Sequence, residues 1–280
     1  MNGPDFVLIG AMKCGTTTLA AQLGAQSGLF VTDPKEPNFF SDDAIFQKGQ
    51  GWYEALFEAA APGDLKGEAS THYTKRPDLA DTVMRMKAAL PDVRLIYMIR
   101  DPMERLVSHW VHAWSLNETK LPFEQALTEM PQLIDYGCYG YQIEPFARAW
   151  GHDAICLTSL ERLRGDPNGE LARIASHAGF DGPVAWTEDA AAENVSATRF
   201  RRFPLRKFWI DNPVARTLRR ALVPKSVRDR VRAARTLDAR PVIPEAARPA
   251  LEARFVEDRT RLAEIFPGDP SLDLAYPWLR

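Results

Sequence analysis

Cysteine is scarce in this chain, with three in 280 residues, at positions 14, 138 and 156. An odd number at unrelated spacings speaks against a disulfide framework and against a zinc site, and it fits a reducing compartment. Long apolar runs are missing too. No segment approaches the ~18–20 continuous apolar residues of a membrane span. The first residues, MNGPDFVLIGAMKCGTT, enter an apolar run and a glycine turn at once, which leaves no basic and apolar region of a signal peptide. The expectation is a cytoplasmic protein. Gly/Ser-rich linkers, internal repeats and low-complexity tracts are likewise absent, so one domain over residues 1–280 is expected.

What is present is an alternation of two periods. Short apolar runs at Phe6–Ile9, Leu29–Thr32, Val93–Ile99 and Ala154–Thr158 read as strands, and Asp64–Ala69 as a further short one. Between them, apolar residues recur at helical spacing. One helix is predicted from Pro77 with Leu79, Val83, Met86 and Leu90 on one face, and another from Asp101–Pro102 to about Trp114. A third covers Gly169–Gly179, and a long amphipathic one covers about Glu245–Ile265. Repeated β-then-α units imply an α/β fold of three layers, a parallel sheet flanked by helices, with a helical C-terminal part. Charge is uneven. The net is −2, yet residues 199–235 hold 13 Lys/Arg against two Asp. That basic, mostly helical stretch within about 200–245 reads as a solvated helix face or as a contact for an anionic ligand or membrane surface.

Two motifs carry chemistry. Gly10-Ala-Met-Lys13-Cys14-Gly15-Thr16-Thr17-Thr18 follows the first strand and opens the first helix. Backbone N–H groups in such a turn point at an anion, and the helix N-terminus adds favourable potential. The glycines have the separation of an ATP-binding P-loop, but Thr16 stands where that motif has lysine, and Lys13 lies upstream. A tight turn without ligand is the plain alternative. Arg100 ends the most apolar strand, and Ser108 lies about two helical turns beyond it. In open parallel sheets ligands bind past the carboxyl ends of the strands. The two side chains there suit a phosphate, or an Arg paired locally with Asp101 or Glu104.

Together FVLIGAMKCGTTTL and RLIYMIRDPMERLVSHW resemble the 5′-phosphosulfate loop and the 3′-phosphate motif of sulfotransferases that use 3′-phosphoadenylyl sulfate (PAPS). ICLTSLERLRGDPNGEL and the final amphipathic helix are similar to later parts of that family. The resemblance is weakest over about 200–245. It implies a P-loop-type fold and sulfo transfer to a carbohydrate, lipid or small-metabolite acceptor, with 3′,5′-adenosine bisphosphate (PAP) as product and no metal or nucleic acid. It also implies that Lys13, Cys14, Gly15, Thr16, Thr17 and Thr18 hold the 5′-phosphosulfate, and that Arg100 and Ser108 hold the 3′-phosphate. A late basic loop containing Ser196, Arg199 and Arg201 is expected to close over the nucleotide.

Transfer also needs a base, and a cation at the leaving oxygen. Lys13 is the cation. DPKEPNFF resembles the glycan-type segment in which a glutamate precedes two aromatics, so Glu36 is the expected base and His72 the rival. Burial beside Phe39 and Phe40 is expected to raise the Glu36 pKa. Lys35, Glu68, Ser70 and His72 are expected to line the acceptor side. Trp110 and Trp114, four apart on one helix, are assigned to the core. A Mg²⁺-dependent phosphotransferase and a non-catalytic PAPS-binding protein are the competing readings.

Overall fold

The computed structural model describes residues 3–188, 237 and 239–279. Five strands form one sheet: β1 (Phe6–Gly10), β2 (Leu29–Val31), β3 (Leu65–Ala69), β4 (Arg94–Ile99) and β5 (Ile155–Ser159). Their order is β2-β3-β1-β4-β5, with every neighbouring pair parallel. All five carboxyl ends therefore share one edge. Every residue of β1 is buried, as is every residue of β4 after Arg94. Continuous apolar runs such as these belong in a sheet covered on both faces.

Successive strand residues point to opposite faces, and β4 shows what covers each. Tyr97 meets the ring of Tyr139 at 6.2 Å, on the helix we number α8 (Tyr139–Trp150). Met98, on the other face, lies against Gly15 at the start of α1 (Thr16–Gly24). Between these come α2 (Asp43–Phe46), α3 (Gln50–Ala55), α4 (Thr82–Ala89), α5 (Pro102–Leu116), α6 (Phe123–Glu129) and α7 (Gln132–Asp135). After β5 follow α9 (Leu160–Gly165), α10 (Pro167–Ala178), α11 (Arg248–Ile265) and α12 (Ser271–Leu274).

Local chemistry sets the ends of these helices. Asp101 caps α5 by accepting from Met103 N–H at 2.8 Å, with Pro102 in the first turn where its missing donor is harmless. Asp166 does the same for α10, accepting from Gly169 N–H at 3.0 Å, and Gly179 ends that helix at φ 97°. Asp258, buried on α11, accepts from the first amides of α8, Gly140 at 2.7 Å and Tyr141 at 2.8 Å. That ties the C-terminal helix into the same core as the sheet, with Leu251, Phe255 and Leu262 buried alongside.

The predicted helix over Pro77–Leu90 begins five residues late, at Thr82. Gln142 on α8 holds the Arg76 backbone from both sides, accepting from its N–H and donating to its carbonyl, each at 2.8 Å. A residue before proline is in any case kept out of the helical region. Similarly, α11 starts at Arg248 rather than near Glu245, with Pro249 in its first turn. The basic stretch over 199–235 lies outside the described residues.

Candidate functional site

The loop after β1 is built to leave amides free. Ala11 N–H donates to Met98 O at 2.7 Å, which keeps the chain beside β4, and Cys14 N–H donates back to Ala11 O at 3.2 Å. Gly10 packs so closely under Thr74 that an added Cβ would fall 2.1 Å from the hydroxyl. Gly15 turns the chain at φ 95°. The first i→i−4 bond of α1 runs from Leu19 N–H to Gly15 O, and no side chain caps the helix. The amides of Thr16, Thr17 and Thr18 therefore face outward without intrahelical partners. Thr16 is buried, Thr17 exposed and Thr18 half-buried. Cys14 turns its thiol into the core, 3.4 Å from Tyr139 Oη, and burial pushes its pKa up to about 11. Only its backbone reaches the loop.

Arg100 and Lys13 adjoin. Arg100 Nη1 donates to Lys13 O at 3.3 Å, and Nη2 lies 3.5 Å from Glu104. Its Nε is buried with no partner. Tyr139 Oη donates to Arg100 O at 2.9 Å and fixes that backbone. Ser108, half-buried on α5, is one turn past Glu104 and so lies on the same helix face. Lys13 has left-handed backbone at φ 68°, and its Nζ lies 3.5 Å from His112 Nδ1. Burial, then the Arg100 charge, pulls the Lys13 pKa down.

Glu36 follows β2 with φ 64°, its N–H donating to Ala69 O at the end of β3 at 3.0 Å. Its carboxylate pairs with Lys35 at 2.8 Å and accepts from Thr71 Oγ1 at 3.1 Å. The expected upward pKa shift is corrected here. Burial does push it up, but Lys35, by charge and hydrogen bond, together with the Thr71 hydroxyl, outweighs burial and holds it below the ordinary value. Glu36 and Lys35 are among the charges that act on Lys13, so the acid and the loop lie within electrostatic reach of one another at the carboxyl end of the sheet. His72 is half-buried nearby, its pKa lowered by burial and by Lys75.

Glu68 and Ser70 do not line the acceptor side. Both are 0% exposed. Ser70 Oγ accepts from Asn38 N–H at 3.1 Å, while Glu68 faces Tyr53 and Tyr73 inside the core. The alternation of β3 turns the Glu68 side chain inward, which the letters GEAS do not reveal. Trp110 is buried, and its indole donates to Leu121 O at 3.2 Å. Trp114 packs beside it at 6.4 Å. Ser196, Arg199 and Arg201 lie outside the described residues.

Three groups at the site went unread in the sequence as parts of it: Thr71, His112 and Lys75. Lys75 is half-buried, its pKa lowered to about 8 chiefly by burial, and Glu36 is the first of the charges acting on it. A lysine just after GEASTHYT and two residues before Pro77 carried no signal beyond its position. Among the described residues, no three His, Cys, Asp or Glu side chains converge as a metal centre would require. Nor is any helix there long and apolar enough to cross a membrane.

Comparison with known proteins adds the following. Heparan sulfate glucosamine 3-O-sulfotransferase 3B1 of Mus musculus is 29% identical over 187 residues, covering 63% of this chain and 46% of that protein. The chain thus spans about half the length of the curated relatives it matches. Among solved structures, a sulfotransferase from Alicyclobacillus acidocaldarius superposes over 99% of both chains with a TM-score of 0.67 at 20% identity. The mouse sulfotransferase SULT7A1, complexed with PAP, covers 92% of this chain and 85% of its own with a TM-score of 0.52 at 15% identity. The family described as "Sulfotransferase domain" matches residues 3–222, well over half of the sequence. The chain belongs to the sulfotransferase family.

Proposed function

We propose that the chain transfers a sulfo group from PAPS to a hydroxyl or amine of a carbohydrate, lipid or small-metabolite acceptor, releasing PAP. The observation that carries this reading is the uncapped start of α1 beside Arg100, whose buried Nε has no partner. Three outward amides and the unpartnered Nε of Arg100 are what a doubly phosphorylated nucleotide would satisfy. Family membership and the PAP held by the mouse neighbour support the donor.

PAPS, when bound, supplies a sulfo group on a phosphate leaving group. The amides of Thr16 to Thr18 and Lys13 Nζ hold the 5′-phosphosulfate, and Arg100 and Ser108 hold the 3′-phosphate. Glu36 takes the acceptor's proton as the acceptor oxygen or nitrogen bonds to sulfur and the bond from sulfur to phosphate oxygen breaks. Lys13 offsets the charge that builds on that oxygen. Thr71 and Lys35 fix the Glu36 carboxylate and keep it ionised. The relatives named for heparan sulfate favour a carbohydrate acceptor. One domain in the cytoplasm, with Ser196, Arg199 and Arg201 closing over the nucleotide and the 200–235 stretch meeting a membrane surface, completes the proposal.

The test is incubation of purified protein with PAPS and pools of glycans, lipids and small alcohols, read by mass spectrometry for a sulfated product. No product from any pool, with tight Mg²⁺-ATP binding, would favour the phosphotransferase instead. Thr16 in place of the post-glycine lysine argues against that outcome.

A further inference from the structure

The end of β3 holds a carboxyl group that sulfo transfer does not use. Glu68 is fully buried, and both its oxygens lack a partner of good hydrogen-bond geometry. So do the hydroxyls of Tyr53, on α3, and Tyr73, in the 3₁₀ turn Thr71–Thr74. These two hydroxyls are the polar groups that act on the Glu68 carboxyl. Buried polar atoms need partners. The carboxyl and the two hydroxyls face one another, and Ser70 and the Phe40 backbone also act on the Tyr73 hydroxyl. Burial keeps the carboxyl protonated at neutral pH, with a pKa of about 8.

The same three residues touch both supports of the Glu36 loop. Tyr53 stacks on Phe39 at 4.6 Å and meets Phe40 edge-on at 5.1 Å, and Tyr73 lies 5.7 Å from Phe40. Phe39 and Phe40 are the buried foot of that loop. On the other side, Ala69 and Ser70, the residues directly after Glu68, accept the amides of Glu36 and Asn38. Glu36 and Asn38 both have left-handed backbone, at φ 64° and 54°. Such a loop persists only where its surroundings over-determine it.

We infer that Glu68, acting through Tyr53 and Tyr73, is the positioning residue that holds the Glu36 loop against the end of β3. The inference rests on the reading of Glu36 as base. Glu68 touches neither donor nor acceptor. It joins the aromatic foot of the loop to the strand end that receives the loop's amides.

The experiment compares the full chain with Glu68→Leu, Glu68→Gln and Tyr73→Phe. Amide hydrogen exchange is read over residues 34–41 and over β1 and β4, and PAP affinity by calorimetry. Removing the carboxyl in Glu68→Leu, which strands the Tyr53 hydroxyl and weakens the hold on that of Tyr73, should speed exchange in the loop by about ten- to a hundredfold. Exchange in β1 and β4, and PAP binding, should stay as in the wild type. Glu68→Gln, neutral and of equal shape, should restore most of the protection, and Tyr73→Phe should show an intermediate loss. Unchanged loop protection in Glu68→Leu, or a loss spread evenly over the sheet, overturns the inference. If Glu68→Leu does not fold, Tyr73→Phe decides: loop protection equal to wild type overturns it. Exchange reports where the loop sits whatever Glu36 does. Wild-type turnover in Glu36→Gln would therefore defeat the base assignment alone, with the exchange pattern intact.

Discussion

The buried Glu68 carboxyl makes the stability of this chain depend on pH in a direction opposite to that of a salt-bridged acid. Its pKa rises from an ordinary 4.5 to about 8 on folding because burial penalises the charged form, and the nearby Tyr73 and Tyr53 hydroxyls only partly offset that. Between those two values the unfolded chain has lost this proton and the folded chain still holds it. The contribution to stability is therefore whole below the unfolded value and falls as pH rises. It is gone once pH passes the folded value. The slope is about 1.4 kcal/mol per pH unit, and over the whole window the loss reaches a ceiling of roughly 4–5 kcal/mol. Since domains are stable by only about 5–15 kcal/mol, an effect approaching this size is easily seen. Reversible urea unfolding of wild type and Glu68→Gln, from about pH 5 to about pH 8, isolates it, because the other titrations cancel in the difference. The variant should gain on the wild type steadily as pH rises. Parallel curves would mean that Glu68 is ionised in the folded chain, and the account of its site would fail.

Arg100→Ala should erase most of a preference for 3′,5′-adenosine bisphosphate over 5′-AMP, since a lost charged hydrogen bond costs roughly 1.5–3 kcal/mol, or about 10–150-fold in calorimetric affinity. Turnover should survive EDTA yet fall steeply in Lys13→Ala; a strict Mg²⁺ requirement in a PAPS turnover assay would contradict this. Glu36→Gln should leave PAP binding nearly unchanged while single-turnover transfer drops by ~10²–10⁴-fold, with His72→Ala keeping most activity. The opposite pattern would make His72 the base. Lys35→Ala removes the charge that lowers the Glu36 pKa. The acidic limb of the kcat/KM profile should therefore move to higher pH, and an unmoved limb would detach that limb from Glu36.

Four of the five strands were legible as short apolar runs bounded by turn residues, the pattern of a doubly covered sheet, while β3, with Lys66 and Glu68 in its five residues, shows only as a short segment closed by turns. The loop after β1 and Arg100 were legible for a related reason, being the residues at which those runs stop. What escaped depends on partners far along the chain. The start of α4 was misread because Gln142, 66 residues on, holds Arg76. The titration of Glu36 was misread because burial is visible in FF while the geometry of Lys35 and Thr71 is not. Glu68 was placed on the acceptor side because a strand-end acid beside Ser and His looks exposed. Its two tyrosine neighbours come from α3 and from the turn after β3, and only packing brings them together.

Backbone conformation separates scaffold from site in this molecule. Among the described residues four non-glycine positions have left-handed backbone: Lys13, Glu36, Asn38 and Asn117. Asn117 ends α5, where that conformation is routine for asparagine. The other three lie in the loops that leave β1 and β2, on the edge of the sheet where the strands end. A non-glycine residue held there costs of order 1–3 kcal/mol, less for Asn. Each carries a bond that answers the cost: Arg100 to Lys13 O, Glu36 N–H to Ala69 O, and Asn38 N–H to Ser70 Oγ. The acceptors for two of them sit on consecutive residues at the end of β3. A turn that served only to reverse the chain would use glycine at such positions, as Gly179 does at the end of α10. Positions 13 and 36 carry side chains despite the strain, and they are the proposed cation and base, each within reach of the other's charge.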